Sequence, residues 1–228
     1  MSPFVNIHTH YNNHIDNNEF VEIQNIDVDN IVNVDVSHFY SIGIHPWNLK
    51  SQKFKNSEIQ KLGDLESGCL GDLNFLAIGE CGIDRVCGVD FEIQKEVFIK
   101  QIELSERIAK PLIIHAVRSY PDIISIRKET KAKQVWIIHG FQGNEQSAEQ
   151  LLRYADIYLS LGDVLFKNEV RAKQLLRIIP TDRLLFETDV AERKISDVYE
   201  KAALLSGLEM DKLRNDIFNN FVKIFGHI

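Results

Sequence analysis

The sequence predicts an α/β chain of the (β/α)8 barrel class, and three observations carry that prediction. Short apolar runs alternate with longer, charge-rich stretches of helical periodicity along the whole chain. The runs number close to eight. Histidines and carboxylates recur directly after them. Alternating strands and helices imply parallel strands joined by right-handed crossovers. The 228 residues suffice for one sizeable core, and barrels of this length are often single domains. Residues 1–228 are therefore read as one domain, with an open doubly wound sheet as the alternative architecture.

The candidate strands, in chain order, are Phe4–Ile7, Tyr40–Ile44, Phe75–Ile78, Leu112–Ile114, Val135–Ile138, Ile157–Leu161 and Leu184–Phe186, with Val32–Val36 a further one on its apolar/polar alternation. Helices are expected between them. Ile93–Ala109 repeats apolar residues near helical spacing, and Pro121 suits the first turn of a helix running to about Thr130. Ser147–Tyr154, Glu169–Ile178, Lys194–Ser206 and Asp211–Phe225 complete the set, the last with Asp211 placed to cap. The stretch from Tyr11 to Phe39 fits poorly. Asn12, Asn13, Asp16, Asn17 and Asn18 read as loop, and 34 residues between His10 and His45 cannot hold two full strand–helix–strand units. The first crossover helix is expected to be shortened or missing.

Composition narrows the class. Apolar residues make up 44% and charged residues 26%, ordinary for a globular chain. No window approaches a membrane-spanning run of roughly 20 apolar residues, and no secretory leader pattern opens the chain, so a cytoplasmic protein is expected. Three cysteines without a Cys-x-x-Cys spacing suggest reduced thiols. A net charge of −7 argues against a broad basic nucleic-acid footprint. It leaves a phosphate substrate open, because metal ions in a cleft supply positive charge locally.

The polar residues after the runs carry the chemistry. His8 and His10, spaced i and i+2, point to one side of a strand. His45, Glu80, His115, His139 and the Glu187-Thr188-Asp189 triplet each follow a later run. In a (β/α) barrel these strand ends meet on one face, where such enzymes place their active sites. A single histidine there is usually a satisfied residue at a core boundary, and a single carboxylate a cap or surface charge. Their convergence changes that balance, because crowded imidazoles and carboxylates are costly to desolvate without a compensating cation. Two divalent ions are expected: His8, His10 and Asp189 on one, His115 and His139 on the other, with Glu80 bridging. Such a pair can clamp the attacking and leaving oxygens of an in-line displacement. Asp189 is the candidate general base. Glu187, on the same side by period two, would bind a further ion or orient a ligand.

The ordered set of motifs resembles the TatD family of metal-dependent deoxyribonucleases, within the amidohydrolase-like barrel enzymes. The matching pieces are His8-Thr9-His10, Gly43-Ile44-His45-Pro46, Ile78-Gly79-Glu80-Cys81-Gly82-Ile83-Asp84, Gln94 with Phe98, Pro111 to His115, Ile137 to Gly143, Pro180 to Asp189, and Asn220 to Phe225. The resemblance implies a TIM barrel with a dinuclear site and nuclease activity on DNA ends, with magnesium, manganese or zinc as the ion. Its metal-binding pattern falls on His8, His10, Glu80, His115, His139 and Asp189. Catalytic roles are expected for Asp189, Glu80 and His45, the last facing the substrate phosphate, and substrate contacts for His45, Arg118 and Lys167. A monomer is expected. The rim departs from the family pattern: Val117 stands where an arginine is usual and Arg118 follows one residue later. Val190-Ala191-Glu192-Arg193 runs almost directly into a helix, and Arg85-Val86-Cys87-Gly88 replaces a tyrosine-rich stretch.

Competing readings are hydrolysis of a small phosphoester, amide or lactone, as in other amidohydrolase relatives, and a non-catalytic metal-binding or partner-binding module. Many amidohydrolases bridge their metals with a carboxylated lysine; Glu80 in that slot favours the nuclease branch. The intact ligand set speaks against the non-catalytic module.

Overall fold

The computed structural model describes residues 1–11, 19–28, 38–49, Gly63 and 71–226. Eight strands follow one another in chain order: β1 (Phe4–Thr9), β2 (Phe20–Asp27), β3 (Tyr40–Gly43), β4 (Phe75–Asp84), β5 (Leu112–Val117), β6 (Trp136–Ile138), β7 (Ile157–Leu161) and β8 (Leu184–Phe186). They form one sheet in the order β1-β2-β3-β4-β5-β6-β7-β8, and a parallel bridge from Thr9 to Asp189 returns β8 to β1. This is the connectivity of the (β/α)8 barrel that the sequence predicts. Among the described residues the helices are α1 (Phe91–Ile108), α2 (Tyr120–Thr130), α3 (Glu145–Leu152), α4 (Val164–Lys167), α5 (Glu169–Ile178), α6 (Ile195–Ser206) and α7 (Met210–Phe225). No helix among them is long and apolar enough to cross a membrane.

Backbone proximity divides the chain into two compact units, one from Met1–Gln24 with Ile137–Ile228, the other Asn25–Trp136. In the first, every residue of β1 is buried, as expected of a parallel strand covered on both faces. Asn6, His8 and Thr9 are its buried polar residues, and Asn6 ties it to its neighbours. The Asn6 side chain accepts from Thr188 N at 3.0 Å and donates to Thr188 Oγ1 at 2.9 Å and Glu22 Oε1 at 3.0 Å. Tyr199 on α6 grips β1 again, taking the Val5 N–H at 3.0 Å and donating to Val5 O at 3.1 Å. On α7, Asn220 donates to Thr181 O at 2.7 Å and Leu184 O at 2.8 Å, fixing the entry to β8.

In the second unit, α1 opens on Asp90, whose carboxylate accepts from Glu92 N and Ile93 N. Two buried glutamines of α1 tie down two strand ends. Gln101 pairs with both backbone groups of Ile44, at 2.8 and 3.1 Å, and Gln94 does the same for Asp84, at 2.8 and 3.0 Å. A glutamine offers one donor and one acceptor side by side, so it completes a strand end as a neighbouring strand would. Glycines let the strands approach. A Cβ on Gly82, whose φ is +139°, would lie 2.1 Å from His115 O, and one on Gly79 would lie 2.7 Å from Ile113 O.

Several expectations change. The stretch between Tyr11 and Phe39 contains a strand, β2, which pairs parallel to β1 from Phe4↔Phe20 onward. Only residues 10–19 separate the two strands. Val32–Val36 lies outside the described residues. β4 runs six residues beyond Ile78, so Glu80 lies inside the strand, and its register with β5 shifts between Ile78 and Cys81. β5 likewise continues through His115. The cap of α7 is Glu209, without a side-chain hydrogen bond; Asp211 sits in the first turn, where its charge favours the helix dipole.

Candidate metal and catalytic site

In the first unit, His8 lies on the last turn of β1's pleat and is wholly buried, while His10 lies just past the strand and is half-exposed. Their rings meet edge to face at 5.1 Å between centroids. Each Nε2 is 3.5 Å from Asp189 Oδ1. Asp189 has a left-handed backbone (φ +52°), uncommon outside glycine but tolerated by aspartate. Two backbone bonds hold it there: Asp189 N donates to His8 O at 3.0 Å, and His10 N donates to Asp189 O at 3.1 Å. His139, at the end of β6, brings its ring to 4.4 Å from that of His8. His8, His139 and Asp189 each offer a ligand atom within 4.8 Å of the others. Glu187 is fully buried beside them. Its Oε1 accepts from Gly140 N at 2.5 Å and lies 3.4 Å from His139 Nδ1, within ion-pair distance of the imidazole.

In the second unit the corresponding group is His45, Glu80 and His115, again within 4.8 Å of one another. Glu80 Oε1 is 3.2 Å from His45 Nε2 and 2.7 Å from His115 Nδ1. His115 turns its other nitrogen to Asp84 Oδ2 at 3.1 Å. Asp84 is the residue that sequence reasoning passed over as a site residue. It sits four residues after Glu80 on the same strand, and period two would have placed both carboxylates on one side. Burial pushes the Asp84 carboxyl up; the Trp47 indole N–H at 2.6 Å, the Val86 N–H at 2.7 Å and His115 outweigh this and hold it below its ordinary range. His45 is committed as well. Its Nδ1 accepts the Trp47 backbone N–H at 3.2 Å, which leaves the proton of a neutral ring on Nε2.

The expected division put His139 with His115; within each unit the geometry groups His139 with His8 and Asp189, and His115 with His45 and Glu80. Arg118 follows β5 directly, exposed and with a left-handed backbone (φ +50°). Lys167 ends α4 and pairs with Asp163 at 2.5 Å, the same carboxylate that holds Arg193 at 2.8 Å. Asn6 and Gln101, which brace the strand ends, were not singled out from the sequence. Buried amide side chains inside apolar surroundings are the signal that could have found them.

The donor set suits a divalent metal. His115 faces a carboxylate oxygen with each ring nitrogen, and a neutral imidazole donates only one proton, so a metal ion on the Glu80 side or a second ring proton would each satisfy the arrangement. Imidazole and carboxylate groups that could hold a metal, at the C-terminal ends of parallel strands, are the arrangement of metal-dependent α/β barrels. The comparisons make this specific. The family model described as TatD related DNase matches residues 7–226, and this chain belongs to that family. An uncharacterized metal-dependent hydrolase of Escherichia coli strain K12 is 28% identical over 202 residues, covering 82% of this chain and 73% of that protein. One from Bacillus subtilis strain 168 is 41% identical over 117 residues, covering 50% and 46%. A Buchnera aphidicola relative is 32% identical over 160 residues, or 66% of this chain, and the match spans 58% of that protein's length. The crystal structure of a TatD homologue from Escherichia coli K12 superposes with a TM-score of 0.84 at 19% identity, over 99% of this chain and 98% of that one. A TatD family hydrolase from Entamoeba histolytica gives 0.78 at 15% identity, over 98% of each chain. These likenesses show the fold: a TIM-type (β/α)8 barrel.

Proposed function

We propose that this chain is a metal-dependent deoxyribonuclease that hydrolyses phosphodiester bonds near DNA ends, with two divalent ions held by His8, His10, Glu80, His115, His139 and Asp189. The observation that carries the reading is the donor chemistry: one group of imidazole and carboxylate atoms within 4.8 Å in each unit, inside a family described as DNases. Bound divalent ions would supply Lewis acidity and a lowered pKa for coordinated water. The chain's own residues do the rest. Asp189, held by backbone bonds on both sides, accepts the proton of the attacking water. The one ring proton of His45 lies on Nε2, because Nδ1 accepts the Trp47 N–H; that N–H is shared between Glu80 Oε1, 3.2 Å away, and a substrate phosphate oxygen. Glu80 is both a metal ligand and the acceptor that orients His45 and His115. Arg118 and Lys167 contact the substrate's phosphates. The whole chain acts as one hydrolase domain, in line with the family match from residue 7 to 226.

A second reading, hydrolysis of a small phosphoester, is favoured by the net charge of −7 and by the eight residues, 187–194, that alone separate β8 from α6. The test is release of nucleotides from end-labelled single-stranded and duplex DNA with magnesium, manganese or zinc. EDTA and the His115→Ala and His139→Ala variants serve as controls. Digestion that needs metal and disappears in both variants supports the nuclease, and the labelled end gives its direction. A folded, metal-loaded protein that digests neither substrate but hydrolyses p-nitrophenyl phosphate would replace the first reading with the second.

A further inference from the structure

We propose that Trp47 is the base-stacking residue of this site: its indole is the flat face on which the terminal nucleobase of the substrate rests, beside the phosphate to be cleaved. The proposal deepens the nuclease reading and rests on it. Trp47 occupies the middle of the single 3-10 turn, Pro46–Asn48, that follows His45. It is 56% exposed, whereas the other tryptophan, Trp136, is 0% exposed. A tryptophan with its N–H bonded on one side and its ring face open to water on the other has the disposition common at binding interfaces.

Its orientation is fixed all the same. The N–H donates to Asp84 at 2.6 Å, and the ring stands perpendicular to that of His45 at 5.0 Å and against His115 at 6.1 Å. Asp84 uses its second oxygen to accept from Val86 and Cys87 N–H, and Val86 is 57% exposed. One buried carboxylate thus holds the Trp47 indole and the Val86 and Cys87 backbone, and touches His115 of the His45–Glu80–His115 group.

Charge points the same way. A chain of net charge −7 gains little from long-range attraction to a polyanion. Stacking on an aromatic face is insensitive to that repulsion and accepts any base. The competing role for Trp47 is as a positioning residue that merely braces Asp84 and, through it, His115.

The experiment separates the two. In magnesium-loaded full-length protein, tryptophan emission is followed while thymidine 5′-monophosphate or deoxyribose 5-phosphate is added. Saturable quenching by the nucleotide alone, lost in Trp47→Phe, is expected. On end-labelled oligonucleotides, Trp47→Leu should raise KM by about 5- to 150-fold, and Trp47→Phe, which keeps a flat face but loses the N–H to Asp84, should raise it several-fold less than Trp47→Leu. Oligonucleotides ending in an abasic residue should not distinguish the variants. Equal quenching by the baseless phosphate would overturn the proposal. So would an equal fall in kcat on both oligonucleotides with Phe no better than Leu, which would assign Trp47 the bracing role. DNA digestion without base dependence would remove the stacking face and leave the nuclease standing; nucleotide-specific quenching without digestion would do the reverse.

Discussion

Replacing Glu187 by glutamine should weaken metal binding without unfolding the protein. Glu187 is buried at 1% exposure, and its Oε1 accepts the Gly140 N–H while lying 3.4 Å from His139 Nδ1. Glutamine is nearly the same shape, so the carbonyl can keep the Gly140 bond and the backbone need not move. What disappears is a negative charge beside the imidazole proposed as a ligand. Two full charges 3.4 Å apart interact by about 5 kcal/mol at an effective dielectric of 20, which sets a ceiling. The ring carries only a dipole and a share of the metal's charge, so a loss of about 1.4–2.7 kcal/mol is expected, or roughly 10- to 100-fold in affinity. The assay is calorimetric titration of metal-free protein with zinc or manganese, in wild type, Glu187→Gln, His139→Ala and the double variant. If Glu187 acts through His139, the double variant should bind no more weakly than His139→Ala. Unchanged affinity in Glu187→Gln, or full additivity in the double variant, would refute the reasoning.

Further outcomes follow from the packing. Gly82→Ala places a Cβ 2.1 Å from His115 O at a φ of +139°, and should cost more than about 3 kcal/mol, read as a fall in thermal midpoint or a loss of soluble expression. Asn220→Ala leaves the Thr181 and Leu184 carbonyls without their shared donor; about 2 kcal/mol is expected, a midpoint lower by about 4–8 °C. Cys81 is wholly buried, and its thiol is pushed well up by burial and by the neighbouring Glu80 charge. A thiol reagent at pH 8 should therefore label Cys87 and spare Cys81 until denaturant is added, as peptide mass spectrometry would show. Chelation by EDTA should abolish digestion, and the added ion should restore it.

Much of the fold was legible because parallel strands are covered on both faces and so read as continuous apolar runs. β7 and β8 coincide with their runs, Ile157–Leu161 and Leu184–Phe186. β2 escaped because it is not covered in that way. Of Phe20–Asp27 only Ile23 is buried, and Glu22, Gln24, Asn25 and Asp27 break the run. β4 and β5 were read too short for a related reason. Glu80, Asp84 and His115 are polar, and a run defined by hydropathy stops where a strand carrying site residues continues. Helix starts slipped by one to two residues where the capping residue lay further upstream, as with Asp90 and Glu209.

By itself the sequence determined which residues could carry chemistry. A buried parallel strand is mostly apolar, so a histidine or carboxylate directly after an apolar run marks the neighbourhood of a strand end, and His8, His10, His45, His139 and Asp189 were recognisable on that ground. Tertiary structure alone decided which of these groups meet. That depends on register between strands far apart in the chain, Thr9 opposite Asp189 and Gly82 opposite His115, and on the helix residues Gln94 and Gln101 that fix the strand ends. The assignment of Asp84 to hold His115, Trp47 and Val86 together belongs to the same level. Of its four hydrogen-bonding partners Val86 and Cys87 are local, but Trp47 and His115 come from another turn and another strand, and no local pattern in the sequence records that these two converge on one carboxylate.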